Sequence, residues 1–310
     1  MPSFSASSLS ASSRAYALLI VTTLIWAGNS VAGKIGAGHV HPFLLTALRW
    51  SLAVLIIIPL AWPKLKRDWP VIRRHWPLLI VYGIFGFGLF NLLLYTALNY
   101  ANVVNVMIEQ AAIPLLIFAG NFALFRVKAT AAQLAGFGLT LAGVVVTASH
   151  GDPSRLLRLE VNIGDALMLL SAVIYAGYTV GLKWKPPVHW QTLIAIPCIG
   201  AVIACIPFLI WTYSHGAFAW PDATGWGVIV YAGIFASLVA SGTYVAGVEL
   251  IGANRAGLFI NLLPVFGVIL SVIILRAPLE AFHLVAMALV IGGIVLSEWS
   301  RARSSSPLPR

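Results

Sequence analysis

Ten apolar runs succeed one another along the 310 residues, and nothing else in the chain constrains its fold so tightly. They span residues 16–33, 43–62, 78–98, 103–125, 132–149, 166–182, 192–213, 226–248, 256–275 and 281–297. A helix crosses the hydrocarbon core of a bilayer with about 20 apolar residues. A membrane barrel would instead show short strands alternating with period two, and these runs are too long and too evenly apolar for that. The expected fold is therefore all-α and integral to a membrane, with ten transmembrane helices. Composition agrees: 60% of residues are hydrophobic and only 9% charged, against roughly 25% charged in a soluble domain. So little charge cannot cover a water-soluble globule, which excludes a soluble enzyme. So much apolar surface excludes a disordered chain.

The net charge is +10. In a soluble protein this would point to nucleic acid. Here the charges stand at the ends of apolar runs, so they report orientation and no nucleic-acid partner is expected. With the N-terminus inside, 14 of the Lys and Arg residues fall on the inner side: Arg14, Lys64, Lys66, Arg67, Arg73, Arg74, Arg126, Lys128, Lys183, Lys185, Arg255, Arg301, Arg303 and Arg310. Four fall outside (Lys34, Arg155, Arg158 and Arg276), and Arg49 lies within a span. Miscounting one span would scramble this bias, so it supports both the count and two cytoplasmic termini. The Ser-rich tails carry no eukaryotic targeting signal, and a bacterial inner membrane is the expected location. The first run lacks a small-residue cleavage site and reads as a retained helix. The connections are short and rich in Gly and Pro; the largest expected loops are 63–77 and 150–165. Cys198 and Cys205 share one span and read as small apolar residues.

The chain also repeats itself. A shift of 150 residues lays Pro114 on Pro264, Arg126 on Arg276, Ala131 on Ala281, Leu134 on Leu284, Leu139 on Leu289, Gly143 on Gly293 and Val145 on Val295. A shift of 149 lays Ala27 and Gly28 on Ala176 and Gly177, Val31 on Val180 and Lys34 on Lys183. The expected organisation is a tail (1–14), a first five-helix repeat (15–149), a connecting loop (150–163), a second repeat (164–299) and a C-terminal tail (300–310). Five is odd, so the second repeat must lie upside down relative to the first. Inverted repeats around a midplane cavity are a transporter architecture, because two near-equivalent halves can rock to expose one site alternately.

These residues carry a family resemblance. The run Leu24-Ile-Trp-Ala-Gly-Asn-Ser-Val-Ala-Gly-Lys34, with Ala47-Leu-Arg-Trp50 after it, resembles the start of an EamA domain. So does Tyr95-Thr-Ala-Leu-Asn-Tyr100 followed by Pro114; the second copy runs from Gly164-Asp165 to Gly293 and includes Pro264 and Arg276-Ala-Pro-Leu-Glu280. The chain is similar to the drug/metabolite transporter superfamily, and within it to the ten-helix amino-acid and metabolite exporters of the YddG type. It departs from the pattern after the fourth span, where the family often has Gly-Glu and this chain has Phe125-Arg-Val-Lys128.

Polar groups inside spans are costly and so mark candidate sites. Glu109 sits about 9 Å from the outer end of the fourth span, one turn after Asn105 and beside Gln110. It is a candidate proton-coupling carboxylate or partner for a substrate ammonium; it could also be a carboxylate in a wet vestibule. Arg49 could hold a substrate carboxylate with its planar fork, or equally snorkel to the interface or cap a neighbouring helix; it is not counted in the expected site. Polar faces recur at helical spacing: Trp26, Asn29 and Ser30; Asn91 and Tyr95; Gln110, Pro114 and Asn121; Tyr175, Tyr178 and Thr179; Ser237, Ser241 and Tyr244; Asn254 and Asn261. Any one could be interhelical glue. Together they fit a central cavity, lined on the helices that the resemblance also places there. Its expected residues are Trp26, Asn29, Asn91, Tyr95, Glu109, Gln110, Tyr175, Tyr178, Ser241, Tyr244 and Asn261. Pro114 and Pro264 are expected to kink their helices and free the carbonyls of Gln110 and Ile260. Trp62, Trp69, Trp76, Trp184, Trp190, Trp220, Trp226 and Trp299 lie near span ends, as interface anchors do.

There is no Walker A loop and no His-Glu-x-x-His pattern. The seven His are scattered, with His39 and His41 lacking a neighbouring carboxylate in sequence. No cofactor, no metal and no enzymatic activity are expected. The function that fits is a secondary transporter exporting amino acids by alternating access, with protons as a candidate coupling ion; drugs or other small metabolites are the alternative cargo. A lipid-directed enzyme would need convergent acid/base or metal groups at one depth, and the sequence offers none.

Overall fold

The computed structural model describes residues 11–126, 130–152, 154, 162–251, 256 and 259–304, and the regular elements among them are all helical. Asn254, Lys128, Arg155, Arg158, Arg255 and Arg310 lie outside the described residues. In chain order the helices are α1 (Ala11–Ile35), α2 (Pro42–Tyr82), α3 (Phe90–Tyr100), α4 (Val103–Glu109), α5 (Ala112–Phe125), α6 (Ala131–Ala148), α7 (Ile163–Gly181), α8 (Trp190–Ser214), α9 (Ala223–Val230), α10 (Ala240–Ile251), α11 (Leu263–Leu275) and α12 (Ala281–Ser304). Two π-helical segments, Gly83–Leu89 and Tyr231–Val239, join α2 to α3 and α9 to α10. Seven helical stretches among the described residues are long and apolar enough to cross a membrane, and two shorter apolar helices follow them. The protein is a multi-span membrane protein.

One of those seven runs unbroken from residue 42 to residue 100. Straight, its 59 residues would extend about 90 Å at the helical rise, some three times the hydrocarbon core. It folds back instead, because Arg49 on α2 bonds Asn91 on α3 at 2.9 Å. The turn is helical where a loop was expected over 63–77. The prolines there (Pro63, Pro70, Pro77) signal a break only if the helix must be straight. Here Ala61, Leu65, Asp68, Ile72 and Leu79 are buried, spaced three, four or seven apart, and this amphipathic pattern keeps the chain helical through the bends. Trp62, Trp69 and Trp76 recur every seven residues on the exposed side, as interfacial anchors do. Asp68 pins the bend to the start of α8, accepting from the His189 N–H at 2.7 Å and the Thr192 hydroxyl at 2.8 Å.

The internal repeat has structural counterparts. Each half carries one π-helical segment, and each has a two-residue break, at Gln110–Ala111 and at Asn261–Leu262, just before its proline. The prolines are not mid-helix kinks as expected. They occupy the first turns of α5 and α11, where a missing N–H costs nothing. The Gln110 carbonyl is consequently not free, since it accepts from the Ile113 N–H at 3.0 Å. Arg126 and Arg276 end α5 and α11 in left-handed geometry, with φ 53° and 50°. Glycine favours that conformation, and each half places an arginine in it.

Contacts across the halves are reciprocal. A Cβ on Gly143 would stand 2.7 Å from the Ala286 carbonyl oxygen, and one on Gly293 would stand 2.4 Å from that of Gly136. Residues 143 and 293, and 136 and 286, are equivalent at a shift of 150. Since 136 meets 293 while 143 meets 286, α6 and α12 run antiparallel, as inversion of the second half requires. A second pair comes near the same relation, offset by two residues: Gly83 packs on Pro197 and Gly233 on the backbone of Arg49.

Packing differs between the two ends of the bundle. At the end where α3 turns into α4, one continuous buried cluster joins Val40, Leu44, Leu98, Val104, Met107, Met168 and Ile229. Every residue of α4 is buried. Beyond the break, α5 buries only Ala112. A second buried cluster joins α2 and α8 around Trp50, Ile57, Leu65, Ile72 and Cys198.

Candidate functional site

A buried arginine organises the middle of the bundle. Arg49 is 3% exposed. Its Nη1 donates to Asn29 Oδ1 at 3.3 Å, to Asn91 Oδ1 at 2.9 Å and to the Tyr95 hydroxyl, and its Nη2 donates to Ser237 Oγ at 2.7 Å. These partners come from α1, α3 and the second π segment. Each partner is itself held: the Tyr95 hydroxyl donates to Asn29 Oδ1 at 2.8 Å, Asn91 Nδ2 to the Phe87 carbonyl at 2.8 Å, and Ser237 Oγ to the Ala232 carbonyl at 2.9 Å. The guanidinium carbon also lies 4.6 Å from the Trp50 ring centre and 5.6 Å from that of Tyr95. Arg49 Nε has no hydrogen-bond partner. Every partner is neutral, and among the described residues no carboxylate pairs with Arg49. A buried cation without a counter-charge is costly.

Three of the expected site residues, Asn29, Asn91 and Tyr95, thus meet at a residue left out of the expected site. Arg49 does not snorkel, because it lies seven residues inside α2 with partners on three other segments. Its signal was legible: it is the one Arg or Lys placed within a span. Ser241 joins through Ser237, donating to its carbonyl at 2.7 Å.

Aromatic rings pack near the hub, starting from Trp50 beside Arg49. Trp26 and Tyr244 pack at 5.5 Å, and the Trp26 indole N–H donates to the Ala236 carbonyl. Tyr175 and Tyr178 pack at 5.5 Å, with Phe90 4.7 Å from Tyr175 and Phe87 5.9 Å from Tyr178. Phe87 stacks in turn on Trp50 at 4.8 Å. All four expected aromatic residues are half-buried. Asn261 is half-buried in the break before α11; Gln110, in the break before α5, has its amide nitrogen 3.4 Å from Ser30 Oγ.

Glu109 stands apart from the hub. It is fully buried at the end of α4, and neither carboxylate oxygen has a hydrogen-bond partner. A cleft of about 570 Å³ between α1, α9 and α11 is lined by Leu24, Ile25, Val31 and Ile274, among others, and opens sideways. Its apolar walls suit lipid chains rather than a polar solute. Outside the spans, His39 does find a carboxylate that the sequence hid: Asp222 Oδ2 lies 2.6 Å from His39 Nδ1.

The site is thus a buried, uncompensated cation among amides, hydroxyls and rings. A family model described as the EamA-like transporter family matches residues 13–149 and again 162–299. The chain belongs to the EamA-like transporter family. The uncharacterized transporter YetK of Bacillus subtilis (strain 168) is 26% identical over 284 residues, covering 91% of this chain and 86% of its own. The biotin transporter of Escherichia coli (strain K12) is 25% identical over 254 residues, covering 79% of this chain and 80% of its own. A solved crystal structure at 24% identity superposes with a TM-score of 0.65 over 94% of this chain and 99% of that one, so the fold is shared. As an EamA-like protein the chain is a membrane transporter, and its partners are a small-molecule substrate and the lipid bilayer.

Proposed function

We propose that this transporter exports small metabolites that carry a carboxylate, amino acids first among them, across a bacterial inner membrane by alternating access. The observation that carries this is Arg49, a buried guanidinium whose partners are all neutral. A substrate carboxylate would supply the missing charge through a charge-assisted, fork-shaped contact. Asn29, Asn91, Tyr95 and Ser241 would frame it; Gln110 and Asn261, at the two helix breaks, would meet the rest of the polar backbone. Trp26, Tyr175, Tyr178 and Tyr244 would accept side chains of many shapes, which suits broad specificity.

The chain crosses ten times in this proposal, as two inverted repeats over 15–149 and 164–299, with both termini cytoplasmic. The α3–α4 end, with its continuous buried cluster, then faces outward. Pro114 and Pro264 start the half-helices on which the two repeats pivot.

The test is efflux of a preloaded amino-acid panel from proteoliposomes, with and without a pH gradient. Several amino acids should leave faster than from protein-free vesicles, and Arg49→Gln should abolish that difference. Efflux of none by folded protein would sink the amino-acid assignment. Biotin and other non-amino carboxylic acids belong in the panel, because the Escherichia coli relative is named a biotin transporter. Efflux of those alone would keep the carboxylate anchor and change the cargo.

A further inference from the structure

The α3–α4 end of the bundle encloses a second polar cluster, built from three helices and the turn after α6. Asn105 on α4 donates from Nδ2 to His150 Nε2 at 3.3 Å and lies 3.5 Å from Asp165 Oδ1 on α7. Its Oδ1 accepts from His283 Nε2 on α12 at 2.9 Å. His150, two residues past α6, has Nε2 4.0 Å from Asp165 Oδ2. One turn along α4 from Asn105, Glu109 is 0% exposed, as is Asp165.

The hydrogen bonds fix where the ring protons are. His283 Nδ1 accepts from the Glu280 backbone N–H at 2.9 Å, so its proton is on Nε2. His150 Nε2 accepts from Asn105, so its proton is on Nδ1, which has no partner. Of these two rings, the one nearest a carboxylate is His150, 4.0 Å from Asp165; among the described residues Glu109 has no such partner. Both oxygens of Glu109 and Oδ2 of Asp165 lack hydrogen-bond donors, and Asn105, one turn from Glu109 on α4, lies between the two acids at 3.5 Å from Asp165 Oδ1.

The other helices packed against α4 offer no relief. On α1, Lys34 is committed to the carbonyls of Leu98 and Ala101, at 2.7 and 3.0 Å. On α3, Tyr95 is held by Arg49 and Tyr100 is exposed. Along Leu263–Leu275 α11 has no titratable side chain. Two ionised carboxylates cannot stay buried in such surroundings.

We propose that Glu109 and Asp165 bind a proton between them when this end is closed, and that the proton leaves to the outer water when the end opens. The pair is then a proton-operated lock on the outer gate. External acid holds the gate shut and returns the carrier to its inward-facing state; external alkali favours opening. The lock rests on the alternating-access reading above, but its test uses no substrate, so either can fail while the other stands.

The test is a thiol at the gate. Val104 is buried next to Asn105, and Val104→Cys reports access from outside, against a parent whose Cys198 and Cys205 are buried. In proteoliposomes the rate at which the introduced thiol is modified, corrected for the intrinsic reactivity of a free thiol, should rise severalfold as external pH is raised from 6 to 8. Glu109→Gln with Asp165→Asn should hold a low rate at every pH. A rate independent of pH, or a pH dependence that survives in that double variant, would overturn the lock. If the dependence disappears only in His150→Gln or His283→Gln, the sensor is a histidine and the assignment to the acids fails. Should the acid variants not fold, infrared spectroscopy of the unmodified protein decides: a protonated-carboxyl C=O stretch is expected at neutral pH, and its absence overturns the proposal.

Discussion

At the scale of single residues, the chemistry of this transporter turns on the difference between a guanidinium and an ammonium. Arg49 reaches Asn29, Asn91, Tyr95 and Ser237 together only because its donors are splayed in a plane. Arg49→Lys keeps the charge but cannot bond all four. Hydrogen bonds to charged groups contribute about 1.5–3 kcal/mol, which converts to roughly 10–100-fold in affinity. Arg49→Lys should therefore fold, transport, and show a half-saturating substrate concentration raised by about that factor, measured as initial efflux rate against internal concentration. An unchanged value would mean that the substrate does not touch this side chain. The span position of Arg49 was readable in the sequence. Its four partners were not, because they lie 20 to 188 residues away in the chain.

At the scale of elements, two features are open to test. The α6–α12 crossing depends on backbones meeting at Gly143 and Gly293, where an added Cβ would press on a carbonyl at 2.7 or 2.4 Å. Overpacking of this kind costs about 1–3 kcal/mol, so Gly143→Ala and Gly293→Ala should each lower the melting temperature in detergent. Gly138 and Gly292, on the same two helices, have no atom within 4 Å of an added Cβ. Their Ala variants should be neutral or stabilising, since Ala is favoured over Gly in a helix. Equal losses at all four positions would discount the crossing. The second feature is the outer clasp between the α1–α2 turn and the start of α9. Asp222 caps α9 through the Gly225 N–H at 2.9 Å and meets His39. The hydrogen bond from His39, then that from Gly225, holds its carboxyl below the ordinary carboxylate range. A depressed acid contributes its stability in full above its unfolded value, about pH 4, and loses it as pH falls through the folded value. The stability gap between wild type and Asp222→Asn, which keeps a capping side chain, should thus be constant from neutral pH to about pH 4 and close below it. A gap that closes between pH 7 and 5 would contradict the clasp as drawn.

At the scale of the whole molecule, orientation and crossing number are one question. The buried state of Cys198 and Cys205 leaves the background silent to a membrane-impermeant thiol reagent. In intact cells, His215→Cys should be labelled and Lys66→Cys should react only after permeabilisation; both side chains are exposed. The reverse pattern would invert the topology, and labelling of both from outside would break the count of ten.

Hydropathy, charge bias and the 150-residue repeat lay in the sequence because each is a property of residue type at fixed spacing. They settle that the chain is helical, crosses the membrane many times and is duplicated. The repeat even marks the positions, Arg126 with Arg276 and Gly143 with Gly293, where backbone geometry recurs. Spacing also misled: a proline every seven residues read as a loop, while the buried stripe through Leu65 and Ile72 kept the turn helical. What spacing cannot hold is which polar group meets which. His150 and His283 are 133 residues apart and converge on one asparagine. Asn29 and Ser237 converge on one arginine. Those meetings follow from packing the second half upside down against the first, which brings residues far apart in sequence to the same depth in the bilayer.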